Sequence, residues 1–565
     1  VGSSLINGMP VKWSPAGLSD ALDSTSVFPG AMGALTNLIP DPTTKNLWQC
    51  RPASILLADL AVDAGAFSSG FSSGFATSIA PNASFISVMK TVGTKIFGMV
   101  ASDLNVGHDQ PFAYDLVTGA FSLITGITAV NTPISPVTTG DWTPPTMDLI
   151  GTKLVVTHPG YTGAAGVYFG WFDISDLTAI TWNGGNTTTT GLPAVPVAVK
   201  QFYNRAYFLV NPATGNPGAY FTDVLTLTIT SGTQVITFGD NVKLTALGAL
   251  ALNNQLGGII QSLIVFKGVA NMYQITGDAA LTGNDALRVN SMNTATGTLA
   301  PNSITSTPRG LAFMAPDGLR VVDFKGTVSD PVGDAGQGVT VPFIYAVHPS
   351  RMAAACNANT YRVSVQNGNA TDSPNQEYWY NIPRGVWSGP HSFPASQIQV
   401  YNNTFIVAPI SATAKLFQSD AAQNSTSTYV ENGSQMTFTF ATAMLPNTQQ
   451  MSENSMVEST VNIGMPDGQQ IACYAVDESG VIFDSVVLTS TMATAVWGSF
   501  VWGSALWAGA SNALAPRQLK WSIPIVFQRL ALLATGNCAQ NLKLGDVYLR
   551  YQPLGYLLQR DLHVA

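Results

Sequence analysis

Charge is what this 565-residue sequence has least of. Asp, Glu, Lys and Arg together make up 10% of it, against roughly 25% in an ordinary soluble domain. Ser, Thr, Asn and Gln take over the polar surface, giving a hydrated but weakly charged coat that suits extensive protein contact. Glutamate is scarcest: Glu377 is the first, and only Glu431, Glu453, Glu458 and Glu478 follow. Glu is a good helix former, whereas Thr, Val, Gly and Asn are not. The bias argues for an all-β chain.

Other shortages exclude whole classes. Histidine occurs only at His108, His158, His348, His391 and His563. None has HxxxH or HExxH spacing, so no local zinc motif exists. The four cysteines, Cys50, Cys356, Cys473 and Cys538, form no CxxC pair and no disulfide framework; reduced thiols are expected. No apolar run reaches the ~18 residues of a membrane span. The opening VGSSLING lacks the basic and apolar regions of a signal peptide, so none is expected. Net charge is -8, with pI near 5.0. Tight nucleic-acid binding needs clustered Lys and Arg to displace counterions, and no basic run is present. DNA could pass this surface without adhering.

What is present is 46% hydrophobic residues in a recurring pattern. Short apolar, β-branched runs, TKIFGMV, TKLVVTH, NRAYFLV, SLIVFKG, GLAFMAP, YRVSVQN and NTFIVAP, begin at residues 94, 152, 204, 262, 310, 361 and 403. Successive starts lie 58, 52, 58, 48, 51 and 42 residues apart. A period near 50 is the spacing of four-stranded propeller blades. Pro316-Asp317-Gly318 supplies turn chemistry between two strand-like runs. The expectation is an all-β chain: a β-propeller of about six or seven blades over residues 55–417, then a polar linker at 418–435. A C-terminal β-sandwich-like platform domain follows at 436–565. Residues 1–54, dense in Pro, Gly and Asp, are expected as an extended N-terminal arm. The C-terminal strands are expected in MVESTVNI, QQIACYAV, VIFDSVVL, PIVFQRLALLAT and LKLGDVYLRY.

The search for chemistry yields little. Gly70-Phe71-Ser72-Ser73-Gly74 matches a nucleophile-elbow pattern, but it lies in a duplicated FSSG stretch without flanking strand and helix. Asp477-Glu478 adjoins a glycine turn, and Asp330 with Asp334 lies in a Gly-rich turn; both read as loops. Glu377-Tyr378-Trp379-Tyr380 with Trp387 is an aromatic cluster. Alternation puts Tyr378 and Tyr380 on one strand face and Trp379 on the other, as in a packed blade. Trp497, Trp502 and Trp507 recur every five residues. That odd spacing aligns the indoles on neither a strand nor a helix, so they are expected as packing and not as a sugar platform. No catalytic, cofactor-binding or metal-binding residue is assigned.

The opening carries Gly17-Leu18, Phe28-Pro29-Gly30-Ala31, Leu35-Thr36-Asn37-Leu38-Ile39-Pro40-Asp41 and Arg51-Pro52. It resembles the start of tail nozzle (tail hub, tail tubular protein B-like) proteins of short-tailed bacteriophages. The LIVFKG…ITGD and AFMAPDGLRV segments look like that family's blade hairpins. The closing WGS…WGS…W, PIVFQRLALLATG and LGDVYLRYQPLGYLLQ are similar to its last domain. The opening departs from the pattern at Trp48-Gln49-Cys50-Arg51-Pro52-Ala53, where a more basic segment ending in Gly is common. The resemblance implies a non-enzymatic virion protein, assembled in the host cytoplasm as a homohexameric ring below the portal and its adaptor. Such a ring is a conduit and gate for DNA and a dock for tail fibres or other tail proteins. The alternative is a propeller carbohydrate-active tailspike enzyme or host glycan-binding module.

Overall fold

A computed structural model describes residues 9–19, 30–60, 83–102, 109–127, 143–163, 166–184, 191–253, 259–283, 286–292, 294–332, 339, 341–365, 375–410, 414–419, 429–445, 453–466, 468–490, 514–540 and 542–555. Nearly all regular structure among them is strand, as the helix-poor composition predicts. Each of the seven periodic runs becomes the second strand of an antiparallel blade meander: Lys95–Ser102, Lys153–Thr157, Arg205–Val210, Ile259–Lys267, Gly310–Ala315, Thr360–Val365 and Thr404–Pro409. These strands read as continuous apolar runs because a neighbouring blade covers each face. Arg205–Val210 and Gly310–Ala315 are buried at every position.

The inner strands are Ala83–Val92, Thr146–Ile150, Pro196–Phe202, Leu244–Asn253, Thr305–Thr307, Ala353–Cys356 and Ala395–Tyr401, in blades numbered 1 to 7 below. A hydrophobic cluster fills each junction between successive blades, with blade 7 packing back on blade 1; the one between blades 5 and 6 runs on into the core of the C-terminal domain. Ring pairs mark several junctions: Phe97–Phe172 at 5.2 Å, Phe169–Phe208 at 4.7 Å and Phe266–Phe313 at 5.0 Å. Aromatics of this size dominate inter-blade burial.

Six blades are separate sheets; blade 6 is bridged onward at Leu35 and Gly389 into the C-terminal domain. Blade 7 takes its outer strand from the other end of the chain. Ile55–Asp59 pairs antiparallel with Lys415–Ser419 and closes the ring. The third strand of blade 7 thus runs two residues past the expected boundary at 417. Within the expected linker, Val430–Glu431 and Ser434–Gln435 form a hairpin; residues 420–428 lie outside the described residues.

The C-terminal domain is two sheets face to face. One contains Glu453–Gly464, Lys543–Gly555, Ala515–Leu519 and Val526–Phe527. The other contains Thr437–Thr442, Ala531–Asn537, Gln470–Val476 and Ile482–Thr489. The PIVFQRLALLAT stretch, expected as a single strand, is two, because the chain crosses from the first sheet to the second between Phe527 and Ala531.

The expected arm is extended but does not stand apart. Met9–Trp13, Leu38–Pro40 and Trp48–Cys50 join the first sheet, while Gly17–Leu18 and Ala31–Thr36 join the second. These strands are two to six residues long, and Met9–Trp13, Ala31–Thr36 and Trp48–Cys50, which fix them in the sheets, have partners at the far end of the sequence, so no local period announces them. Gly30, with φ +84°, sits where a Cβ would meet the Ser14 carbonyl oxygen at 2.2 Å; only glycine permits that crossing.

Candidate functional site

Two constellations of charged side chains stand out from this weakly charged chain. The first lies where blade 6, the N-terminal strands and the C-terminal domain meet. Strand alternation in Gln376–Asn381 sends Tyr378 and Tyr380 toward Phe343 and Trp387. It sends Glu377 and Trp379 to the opposite face, toward Arg362 on the adjacent strand. Arg362 Nη2 donates to Glu377 Oε2 at 3.1 Å, and Arg362 Nε and Trp379 Nε1 both donate to Oε1. The guanidinium stacks 4.8 Å from the Trp379 ring centre, a favourable cation–π distance. Burial raises the Glu377 carboxyl above its usual range, while Arg362 works the other way.

Beside it, Arg51 forms a bidentate pair with Glu431, at 2.8 Å from Nη1 to Oε1 and 2.5 Å from Nη2 to Oε2. Ser54 N donates to the same carboxylate at 3.0 Å. Burial opposes ionisation of Glu431, but Arg51 outweighs it and the carboxyl is held low. Arg51 Nε also donates to Asn37 Oδ1 at 2.9 Å. Asn37 takes a left-handed φ of +55°, which Asn tolerates better than most residues. Its N–H donates to His391 Nδ1 at 3.0 Å, and its amide donates to the Thr437 carbonyl at 2.6 Å. Burial, then the Arg51 and Arg362 charges, push the His391 imidazole well below its usual range, so it stays neutral. Two guanidinium groups and two carboxylates cancel, and every one is buried. This is a joint, closed to any substrate.

Asp41 extends the joint outward. Its Oδ1 accepts from Thr43 N at 2.8 Å and Thr44 N at 2.9 Å, and Lys543 Nζ lies 3.2 Å from Oδ2. Burial raises its pKa, but these donors win and hold it down to about 2. A folded pKa below the unfolded one gives stability that is full above the unfolded value, ~4, and lost as pH falls toward ~2. Asp41→Asn should therefore cost ~1–2 kcal/mol near neutral pH and flatten the acid limb of the stability curve. Urea midpoints measured from about pH 7 to about pH 2 test this. An acid limb unchanged in the variant would refute it.

The second constellation is in the propeller channel. All seven inner strands line a cavity of ≈ 390 Å³ on the propeller axis. Lys90 of blade 1, Asp148 of blade 2 and Lys200 of blade 3 meet at its wall. Lys90 Nζ is 3.1 Å from Asp148 Oδ1 and Lys200 Nζ is 3.3 Å from Oδ2. Gln201 N donates to Oδ2 at 2.7 Å. Burial acts against the Asp148 charge, but Lys200 and Lys90 hold the carboxyl low. Burial lowers the Lys200 ammonium, and Asp148 offsets this only in part.

Ser87, Asp109 and His158 are the residue types of a hydrolase triad, and all are buried. Their order is wrong for one. His158 Nε2 meets Asp109 Oδ2 at 2.6 Å, and Ser87 Oγ donates to that same oxygen at 3.1 Å. Gly160 N donates to His158 Nδ1 at 2.9 Å. The carboxylate stands between serine and histidine, so the imidazole cannot act as base on the hydroxyl. The cluster ties blade 1 to blade 2.

The other sequence candidates disperse. Asp477 Oδ1 accepts from Ser479 and Val481 N–H groups in an exposed turn, and Glu478 pairs with Arg529 at 3.2 Å. Tyr378, Trp379, Tyr380 and Trp387 are core. The four cysteines are free. Cys356 lines the channel, and burial pushes its thiol up to about 12. His348 is buried at the approach to blade 6. Gly70–Gly74, Asp334, His108, His563, Trp497, Trp502 and Trp507 lie outside the described residues. Among the described residues, no three His, Cys, Asp or Glu side chains converge as metal ligands, and no helix is long and apolar enough to cross a membrane.

No family model matches the chain, and no curated protein does. Solved structures match at low similarity. BBS1N, crystallised in complex with ARL6DN, is 11% identical with a TM-score of 0.35, over 66% of this chain and 98% of that one. The β-propeller domain of Cps50 (Swd1) from Myceliophteria thermophila is 11% identical with a TM-score of 0.32, over 60% of this chain and all of that one. SapL1 lectin, in complex with alpha methyl fucoside, is 15% identical with a TM-score of 0.28, over 55% of this chain and 95% of that one.

Proposed function

We propose that this chain is a structural subunit of the tail nozzle of a short-tailed bacteriophage. Six copies form a ring in the virion tail below the portal and its adaptor, conduct and gate DNA, and dock tail fibres or other tail proteins. The reading rests first on the opening motifs that resemble that family. One structural observation supports it: Asn37, Asp41 and Arg51 of those motifs are the residues that fasten the N-terminal strands to blade 6 and the C-terminal domain. A chain this poor in glutamate commits Glu431 to a buried pair with Arg51, whose Nη2 also reaches Ser392 Oγ after blade 6 at 3.5 Å, an arrangement that suits a fixed relation between propeller and platform. Net charge of -8 suits passage of a duplex without adhesion. On this reading the chain carries no catalytic role.

Cryo-electron microscopy of particles containing this chain tests the proposal. The expected result is six copies around the tail axis, between the portal-adaptor and the distal tail parts. A monomer, or a trimeric spike away from the axis, would favour the glycan-binding or glycan-cleaving alternative and overturn the nozzle.

A further inference from the structure

The Lys90–Asp148–Lys200 group is more than a tie between blades. Its two ammonium groups and its carboxylate are not equally accessible. The Lys90 and Lys200 side chains are 30% and 27% exposed, whereas Asp148 is 9% exposed. Both lysines line the channel cavity, whereas Asp148 is not part of the lining. Each carboxylate oxygen holds one ammonium in place, and Gln201 N–H fixes the carboxylate itself. Each ammonium has three donors, so each keeps donors for something else.

Charge is also unbalanced there. Two cations face one anion, and among the described residues the only other ionisable side chain of the lining is Cys356. An excess positive charge inside a concave, poorly solvated wall is unusual in a chain of net charge -8. Concave walls of one sign concentrate ions of the other. The rest of the lining mixes apolar side chains such as Met89, Met147 and Leu247 with neutral polar ones, Thr305, Ser306, Gln397 and Gln399. A cavity of ≈ 390 Å³ falls in the range that takes a small molecule.

We propose that the Lys90–Lys200 wall of the propeller channel is a binding site for a small oxyanion, a phosphate or carboxylate group, held between the two ammonium groups. Asp148 takes one donor from each ammonium and so competes with the anion for them. The site stands whether or not the chain is a nozzle subunit, since it depends only on the channel wall. The anion is either free inorganic phosphate or the carboxylate of an acidic sugar.

Isothermal titration calorimetry of the full-length protein, in chloride buffer of low ionic strength, tests the site with inorganic phosphate, glucuronate and neutral glucose. At least one anion should give saturable binding at one site per chain, and glucose should give none. Glucuronate binding about tenfold tighter than phosphate would assign the site to an acidic sugar; the reverse order would assign it to phosphate. Lys90→Gln and Lys200→Gln should each weaken binding by about tenfold or more, because each removes half of the cationic pair. Asp148→Asn removes the competing carboxylate and should tighten binding, a gain that misfolding could not produce. Three results would overturn the proposal: no saturable binding by either anion, unchanged affinity in Gln variants that melt like the parent, or weaker binding in Asp148→Asn.

Discussion

Glu431→Gln should lower the unfolding free energy by about 3–5 kcal/mol, the usual cost of breaking a buried ion pair from one side. Glu431 is the partner of a guanidinium with no exposure of its own. Gln keeps the shape but removes the charge and turns one acceptor oxygen into a donor, leaving Arg51 one neutral amide oxygen there besides Asn37 Oδ1, the Pro52 carbonyl and Ser392 Oγ. No carboxylate would replace it, because Glu377 is already committed to Arg362 and Trp379. The loss should appear as a fall in the urea midpoint at constant slope. Replacing both partners, Arg51→Met with Glu431→Leu, should recover most of it, since an apolar pair leaves no charge unpaired. A Glu431→Gln protein with the parent's midpoint would show that the joint is not closed to water. A double variant no better than the single one would show that the pair itself stabilises the fold.

Removing residues 1–60 should abolish cooperative folding of the whole chain, not only of an arm. The deletion takes the outer strand of blade 7 and the five N-terminal strands of the C-terminal sandwich. It exposes the edge of Lys415–Ser419 and opens the ring. It also strips Arg51 and Asn37 from Glu431, His391 and Thr437. Buried charges and unpaired strand edges would appear together, and such edges template aggregation. Supplying residues 1–60 as a separate peptide should rescue folding in part. A truncated chain that kept a single sharp melting transition at the parent's temperature would refute this account.

How much of this was legible in the sequence depends on the range of the interactions. The blades were readable because their signal is local: an apolar run every ~50 residues, each covered on both faces. The N-terminal strands were not, because Ala31–Thr36 and Trp48–Cys50 are short and take their meaning from partners near residues 440 and 544. Tyr378 and Trp379 could be assigned to opposite faces by alternation alone, and they lie there. The charged constellations left a fainter trace. Lys90, Asp148, Lys200 and Gln399 each stand four positions before a run, those starting at 94, 152, 204 and 403. That shared phase puts them at corresponding places on inner strands. The Arg51–Glu431 pair has no such phase, since its members lie 380 residues apart.

The strand pairing between the two ends of the chain also sets the order in which the protein can be made. Met9 pairs with Tyr551, and Ile55 pairs with Gln418. A ribosome delivers the N-terminal strands first, yet Met9–Trp13, Ala31–Thr36, Trp48–Cys50 and Ile55–Asp59 lack their distant partners until residues 415–555 have emerged. Blades 1 to 6 can pack on one another in sequence as they appear, while the earliest strands wait with open edges. Such long-range closures are slow steps, and partly closed chains are the species that aggregate. Ring closure therefore acts as a checkpoint on synthesis: a chain cut short before its last strand cannot complete the sandwich that the first strand belongs to.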